Sequence, residues 1–237
     1  MSAVVYTAIF GDYDVLKQPV PQDEPCNFVC FTDTAMPSRV GVWRVIQQRG
    51  DPGLHPRMQA KWYKLLSHRA FPGGRLSWRY APFNFRPRAD MSIWIDGGLQ
   101  IKSARFVRDM RTNLGSQDWA MFPHPARDCI YEEAKVSLGM RKYRDLPIAP
   151  QVASYRSIIP PHGGLYACTI IVRREPASQV IRDANEWWWN ENLKWTYQDQ
   201  VSLPYVLRQL GTPGPAKIAG NLWSNAWFEF LPHNSDA

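Results

Sequence analysis

Apolar and polar positions along the chain follow two patterns, which predict strands and helices in alternation. Short apolar runs bounded by turn residues predict buried strands at 3–10, 27–31, 41–46, 93–96, 119–122 and 166–172. Apolar positions at helical spacing predict helices over 56–68, 103–113, 129–138, 177–193 and 198–210. The tail at 223–233 is predicted as a final strand or a packed irregular segment. Helices between strands predict an α/β fold, a three-layer α/β/α sandwich with a mainly parallel central sheet.

The length and composition are those of one globular domain. Of the 237 residues, 45% are hydrophobic and 21% are charged, with no internal repeat or low-complexity stretch. We therefore expect a single domain over residues 1–237. No apolar run approaches the roughly 20 residues that cross a bilayer, and the first residues lack the features of a signal peptide. A cytoplasmic location is the expectation.

The four cysteines are interpreted as small core residues. Their spacing matches neither a zinc site nor a redox pair. They are Cys26, Cys30, Cys129 and Cys168.

The charge balance favours anionic partners. Lys and Arg exceed Asp and Glu by 28 − 21 = 7, which suits nucleotide phosphates, acidic glycans or peripheral contact with a membrane surface. The excess is too scattered for a nucleic-acid stripe, so we expect no nucleic-acid partner. Five arginines do cluster in or just before the Pro-rich stretch 71–88, which is predicted either to cover a site or to form a solvated loop. They are Arg69, Arg75, Arg79, Arg86 and Arg88.

Acidic side chains follow several predicted strands where each strand ends. The first strand runs into Gly11-Asp12-Tyr13-Asp14 and the second into Thr32-Asp33. The strand at 93–96 ends at Asp96, followed by Gly97 and Gly98, which let a ligand approach the backbone. Acids at the carboxyl ends of parallel strands are placed to hold a metal or a phosphate. The alternative is an ordinary Asp-Gly turn.

Two further features have both a structural and a functional interpretation. The cluster 195–200, Trp-Thr-Tyr-Gln-Asp-Gln, either supplies polar groups to a ligand at a helix start or caps that helix. Trp187, Trp188 and Trp189 are either core and packing residues or a platform for stacking sugars. Several catalytic templates are absent, namely a P-loop, GxGxxG after the first strand, GxSxG and HExxH.

The order of the motifs resembles one glycosyltransferase-like family, which includes plant proteins of seed mucilage and turgor regulation and bacterial relatives. The motifs are YTAIFGDYD, FVCFTD, KWYKLL, SIWIDGG, FPHPARDCIYEEA and YQDQVSLPYVL. They cover nearly the whole chain. The same arrangement is distantly similar to the family-8 retaining glycosyltransferases, whose nucleotide-sugar-binding fold is GT-A. The resemblance therefore implies a GT-A-like fold.

The resemblance also implies roles around a nucleotide-sugar donor. Residues lining the base and ribose would be Thr7, Gly11, Tyr13 and Asp33. Lys61 or Lys64 would approach the pyrophosphate, and Asp96 would lie at a metal or at the ribose. Asp199 and Gln200 would face the donor sugar and carry the catalysis.

Other implied roles concern the acceptor and a divalent metal. His124, Arg127, His162 and Gly163 would contact the acceptor or the sugar, although each histidine could equally be a hydrogen-bonded loop residue. Asp96 and His233 would be ligands of Mn²⁺ or Mg²⁺.

Three departures from the family patterns bear on these roles. Gly98 stands where a DxD motif has its second acid, so this motif offers a metal one carboxylate and not two. Val201 and Pro204 replace an Asp and an Asn of the family-8 pattern. Gln198 stands where the nearer family usually has Arg.

The function predicted from these features is glycosyl transfer, with retention, from a nucleotide-diphosphate donor to a glycan or another hydroxyl acceptor. Synthesis of polysaccharide or surface glycan is the expected setting. The alternative is a module on the same fold that binds polysaccharide or nucleotide sugar without catalysis.

Overall fold

The computed structural model describes residues 2–77, 79–80 and 88–234. The strands, in chain order, are β1 Ala3–Ile9, β2 Cys26–Thr32, β3 Arg39–Val40, β4 Trp43–Gln47, β5 Met91–Ile95, β6 Leu99–Ile101, β7 Trp119–Pro123, β8 Tyr166–Arg174, β9 Ala216–Lys217 and β10 Phe228–Phe230. The helices are α1 Pro56–Leu65, α2 Ser67–Ala70, α3 Phe106–Leu114, α4 Ile130–Leu138, α5 Ile148–Tyr155, α6 Gln179–Lys194 and α7 Asp199–Leu210, with a 3₁₀ turn at Pro72–Gly74.

Eight of the described strands form one central sheet, in the order β3-β4-β2-β1-β5-β8-β7-β9. Strands β4, β2, β1 and β5 are parallel neighbours, while β8 runs antiparallel between β5 and β7. All seven residues of β1 are buried, as expected for a central strand covered on both faces. The prediction of an α/β fold with a mainly parallel sheet is confirmed, and the arrangement is consistent with a GT-A-like fold.

The two faces of the sheet have separate hydrophobic cores. Along β1, Tyr6 and Ala8 point into the core formed with α1, α6 and α7. Their neighbours Val5 and Ile9 point into the opposite core, which α3 covers. This alternation follows from the two-residue period of a strand, and it puts helices on both sides of the sheet.

Most predicted elements are present, with shifted ends. The first predicted helix ends at Leu65, since Leu66 leaves the helical conformation (φ −96°, ψ 42°) before a second short helix begins. The helix α5 was not predicted, because it contains a proline and lies in a Pro-rich stretch that is typical of a loop. The tail does form a strand, β10, which pairs antiparallel with β6.

The arginine cluster at 69–88 lies only partly within the described residues. Arg69 is exposed and pairs with Glu186, at 2.6 Å between nitrogen and carboxylate oxygen. Arg86 lies outside the described residues, as does the 81–87 part of the predicted covering loop. In the part of the chain that the structure describes, no helix is both long and apolar enough to cross a membrane.

The tryptophan run of α6 packs inside the protein. Trp188 and Trp189 are buried, so the core interpretation holds for both and neither offers an open face to a sugar. The indole Nε1 of Trp188 donates hydrogen bonds to the carbonyl of Asp199 (2.9 Å) and to Oγ of Ser202 (3.1 Å). Trp188 thereby joins α6 to the first turn of α7.

Replacing Trp188 by Phe should remove these two hydrogen bonds and leave a small void. We expect Trp188→Phe to lower the free energy of unfolding by about 1–3 kcal/mol, measured by urea denaturation. Trp223 is 61% exposed, so Trp223→Phe is the matched control and should change stability by less than about 0.5 kcal/mol. Equal stability of the two variants would contradict the role given to Trp188.

Candidate functional site

A charged cleft lies at the carboxyl ends of β1 and β5, between α1 and the start of α7. Residues 168 and 169 reach the same edge because β8 is antiparallel to β5. The inner section of the cleft, of about 240 Å³, is lined by residues that include Lys61, Lys64, Asp96, Asp199 and Gln200. An adjoining outer section is lined by residues that include His55, Met140, Arg141, Asp145 and Leu146. Tyr13, Arg57, Lys142, Tyr197 and His233 line both sections.

The floor of the inner section is a buried group of three charges. The ammonium groups of Lys61 and Lys64 lie 2.6 and 2.7 Å from Oδ2 of Asp199. Burial alone would raise the pKa of Asp199, but the two lysines outweigh it and lower the pKa to about 2. Asp199 is therefore ionised throughout the neutral range, and both lysines contact its Oδ2.

The two lysines differ in their electrostatic setting. Burial lowers the pKa of Lys61, and the charge of Asp199 only partly offsets that effect. Lys64 is buried as well, but Asp199 and Asp96 together raise its pKa above the ordinary value. The second contact of Lys64 is to Oδ1 of Asp96, at 3.1 Å. Lys64 thus connects the two carboxylates that the sequence placed in the donor site.

Asp96 is held at the end of β5 with its carboxylate partly open to the cleft. The indole Nε1 of Trp94 donates to Oδ1 of Asp96 at 2.8 Å, and the Asp96 side chain is 41% exposed. The next residue is glycine because Asp14 approaches it closely. A Cβ on Gly97 would lie 2.8 Å from Oδ2 of Asp14.

The predicted metal site does not have a fitting set of ligands. Nδ1 of His233 lies 2.7 Å from Oδ1 of Asp14, and a Cβ on Gly98 would lie 3.1 Å from Cε1 of His233. His233 therefore occupies the space beside Gly98 that a second DxD carboxylate would need. Among the described residues, the donor atoms of Asp14, Asp96 and His233 are not all within 4.8 Å of one another.

The boundary between the two sections carries two cations that sequence reasoning did not select. The guanidinium of Arg57 lies over the ring of Tyr13, 4.1 Å from its centroid, and 5.7 Å from that of Tyr197. Tyr197 donates its hydroxyl proton to the backbone carbonyl of Lys142 (2.6 Å). Neither Arg57 nor Lys142 forms an ion pair with a carboxylate of the described residues.

The FPHPARDCIYEEA motif supports the start of α7 through hydrogen bonds outside the cleft lining. Arg127 contacts Oε2 of Glu133 at 2.7 Å, and Nδ1 of His124 accepts from the backbone N–H of Arg127. The other carboxylate oxygen, Oε1 of Glu133, accepts from Nε2 of Gln198 (3.0 Å). Gln198 in turn caps α7 by accepting from the N–H of Gln200. His124 and Arg127 thus support the helix that carries Asp199, and they do not line the cleft.

The remaining predicted residues lie apart from the cleft lining. Thr7 is buried in β1. The N–H of Gly11 donates to the carboxylate of Asp33, where the chain leaves the carboxyl ends of β1 and β2. His162 is exposed and pairs with Asp128. Gly163 borders a different groove, beside Tyr166 and Leu207. Of the predicted nucleotide-binding residues, the cleft brings together Tyr13, Lys61, Lys64 and Asp96.

The signals for the missed residues differ in strength. Arg57 precedes Lys61 and Lys64 by four and seven residues, so all three share a face of α1, and the helical period could have found it. Asp14 lies in the acidic turn after β1, from which Gly11 and Tyr13 were predicted as site residues, and the same turn could have indicated Asp14. Lys142 lies in an irregular basic stretch after α4, where no periodic pattern indicates which cation faces a cleft.

The fold and cleft together define an α/β protein with a charged site at the carboxyl edge of its sheet, where such proteins bind ligands. A family model of the TOD1/MUCI70, glycosyltransferase-like domain matches residues 1–228. The chain therefore belongs to this glycosyltransferase-like family, which confirms the resemblance seen in its motifs.

Two plant proteins from Arabidopsis thaliana are similar to this chain. The first, the probable hexosyltransferase MUCI70, is 26% identical over 234 residues, covering 86% of this chain and 36% of the relative. The second, the alkaline ceramidase TOD1, is 26% identical over 167 residues, covering 60% of this chain and 33% of the relative. The chain thus spans about a third of the length of each relative.

The lowered pKa of Asp199 should make stability fall in acid. A carboxyl group with a folded pKa of about 2, below its ordinary 3.8, contributes stability above about pH 4 and loses it as the pH falls towards 2. Between pH 5 and pH 3 this carboxyl group should account for a loss of about 1 kcal/mol in the unfolding free energy of wild type, and Asp199→Asn should lack that part of the loss. Urea unfolding at the two pH values measures it. Asp183 is exposed on α6, so Asp183→Asn should keep the wild-type slope. Parallel pH profiles for wild type and Asp199→Asn would refute the assignment.

The support from Glu133 can be tested against its neighbour on α4. Glu133→Gln leaves Arg127 without its carboxylate partner and weakens the contact to Gln198, so we expect a loss of about 2–4 kcal/mol in unfolding free energy. Glu132 is exposed, and Glu132→Gln should cost less than about 0.5 kcal/mol. Thermal melting followed by circular dichroism distinguishes them, and similar melting temperatures would show that the network is not stabilising.

Proposed function

We propose that this domain transfers a sugar from a nucleotide-diphosphate donor to a glycan or other hydroxyl acceptor. The observation that carries the proposal is the ionised Asp199, held between Lys61 and Lys64 on the floor of a cleft that Asp96 and Gln200 also line. Membership of a glycosyltransferase-like family supports it. So does the name of the relative MUCI70, a probable hexosyltransferase.

The chemistry of glycosyl transfer suits these groups. Breaking the bond between the anomeric carbon and the phosphate oxygen leaves positive charge on the sugar ring and negative charge on the departing diphosphate. A fixed carboxylate beside the ring stabilises the cation, and cations beside the phosphates stabilise the leaving group. Asp199 supplies the carboxylate, with Gln200 as a hydrogen-bonding partner for the sugar. We propose transfer with retention, in the synthesis of polysaccharide or surface glycan.

The relative TOD1 is named an alkaline ceramidase, which raises an alternative substrate class. A ceramide has two long alkyl chains, which need an extended apolar surface. The inner section instead carries three lysines and three aspartates, with only small or single apolar side chains such as Ala8, Ala60 and Trp94 between them. Its lining therefore favours phosphate and sugar hydroxyls over a lipid.

A panel of UDP-, GDP- and dTDP-sugars, with and without Mn²⁺, tests the proposal. At least one donor should raise the melting temperature of the wild-type protein and be hydrolysed or transferred. Asp199→Asn should lose about 100-fold or more in turnover while still binding nucleotide, since the carboxylate acts on the sugar. Asp183→Asn is the matched control and should retain turnover.

Because Asp199→Asn leaves two buried lysines without their shared carboxylate, its folding must be checked by circular dichroism. Gln200→Ala serves as a second variant, since its side chain is only partly buried, and it should also slow turnover. Binding of a donor without any turnover would indicate the non-catalytic binding module. If no nucleotide sugar stabilises or reacts with the folded protein, the proposal is wrong.

A further inference from the structure

We propose that Arg57 and Lys142 bind the diphosphate of the donor directly, so that donor binding does not require a divalent metal. This inference rests on the proposed function, because it assigns the phosphate subsite of the same cleft. It replaces the sequence-based expectation that Lys61 or Lys64 contacts the pyrophosphate.

Lys61 and Lys64 are poorly suited to that task because their charges are already balanced. Both ammonium groups contact Asp199, and Lys64 also contacts Asp96. Two ammonium groups and two carboxylates have no net charge. A diphosphate that recruited either lysine would have to compete with a short contact to a buried carboxylate.

Arg57 and Lys142, by contrast, line the same two sections of the cleft and have no carboxylate partner among the described residues. Burial in the cleft and the nearby charge of Arg57 lower the pKa of Lys142. This effect is expected where two cations share a cleft and no anion is paired with either. Their two positive charges match the two negative charges on the diphosphate of a nucleotide sugar. The carboxylate of Asp14, which also lines the cleft, is already in contact with Nδ1 of His233, at 2.7 Å.

The tyrosines around the two cations hold them at the boundary between the sections. Arg57 rests on the rings of Tyr13 and Tyr197, and the hydroxyl of Tyr197 fixes the backbone of Lys142. A guanidinium held over an aromatic ring by its charge can still donate N–H hydrogen bonds to phosphate oxygens. A diphosphate at this boundary directs its sugar to Asp199 in the inner section and its nucleoside to the outer section.

The arrangement of donors near Asp96 agrees with a site that relies on side-chain cations. His233 occupies the space beside Gly98, and Oδ1 of Asp96 already accepts from Lys64 and Trp94. Of the two carboxylates that a bridging metal would need, one is missing at Gly98, and the other, Asp96, already accepts two hydrogen bonds. Arginine and lysine are alternative means of stabilising phosphate charge.

The test uses inorganic pyrophosphate, with EDTA present, titrated into the whole chain by calorimetry at fixed ionic strength. Wild type should bind it, and Arg57→Gln and Lys142→Gln should each weaken binding about 10-fold or more. Lys142→Arg retains the charge and should stay within about 3-fold of wild type. Lys135→Gln removes one exposed positive charge from α4, away from the cleft, and is the matched control.

A second measurement compares UDP with UMP, and GDP with GMP. The extra phosphate should strengthen binding of at least one nucleotide to wild type, and this advantage should shrink about 10-fold in Arg57→Gln and Lys142→Gln. Unchanged affinities in both variants, or pyrophosphate binding that appears only with Mn²⁺, would overturn the inference. Glycosyl transfer by wild type would then still stand. Conversely, pyrophosphate binding that the variants lose, in a protein that turns over no sugar donor, would support the anion site and refute the transferase.

Discussion

The contact on which the rest of the site depends is the ion pair of Asp199 with Lys61 and Lys64. It joins α1, which follows the β4 strand, to the first turn of α7, more than 130 residues later in the chain. All three side chains are largely removed from water, so each is costly unless paired. Because the pair is satisfied only when both helices are in place, the same interaction that closes the floor of the cleft also keeps Asp199 ionised.

The start of α7 is positioned by more than this ion pair. From one side Gln198 is held by Glu133, and from the other Trp188 binds the carbonyl of Asp199. Two sequence motifs that looked like separate contacts for substrate are therefore one unit. The HPARDCIYEEA segment supports the Gln-Asp-Gln segment, and only the latter faces the cleft. A carboxylate whose position is set by packed neighbours needs no rearrangement when charge develops beside it.

The two glycines after Asp96 lie close against side chains from distant parts of the chain, a crowding that the sequence did not reveal. Gly97 makes room for Asp14, and Gly98 makes room for His233. The Asp-Gly-Gly pattern at the end of β5 thus accommodates two side chains, Asp14 from the loop after β1 and His233 from the tail. Because of this local crowding, the site has no room for the second carboxylate of a DxD metal motif. The crowding therefore favours side-chain cations as the partners of phosphate.

The sequence by itself determined the α/β class, most strands and helices, and the family, because buried strands and amphipathic helices leave periodic apolar patterns and the motifs keep their order. It also predicted Lys61, Lys64, Asp96 and Asp199 as site residues, from their places at element ends or on one helix face together with the family resemblance. Only the tertiary structure decided how these charges pair, that Thr7 is buried away from the cleft, and that Lys142 reaches the cleft from an irregular segment. Pairing between side chains far apart in the chain depends on the packing of whole elements, and local spacing carries no record of it.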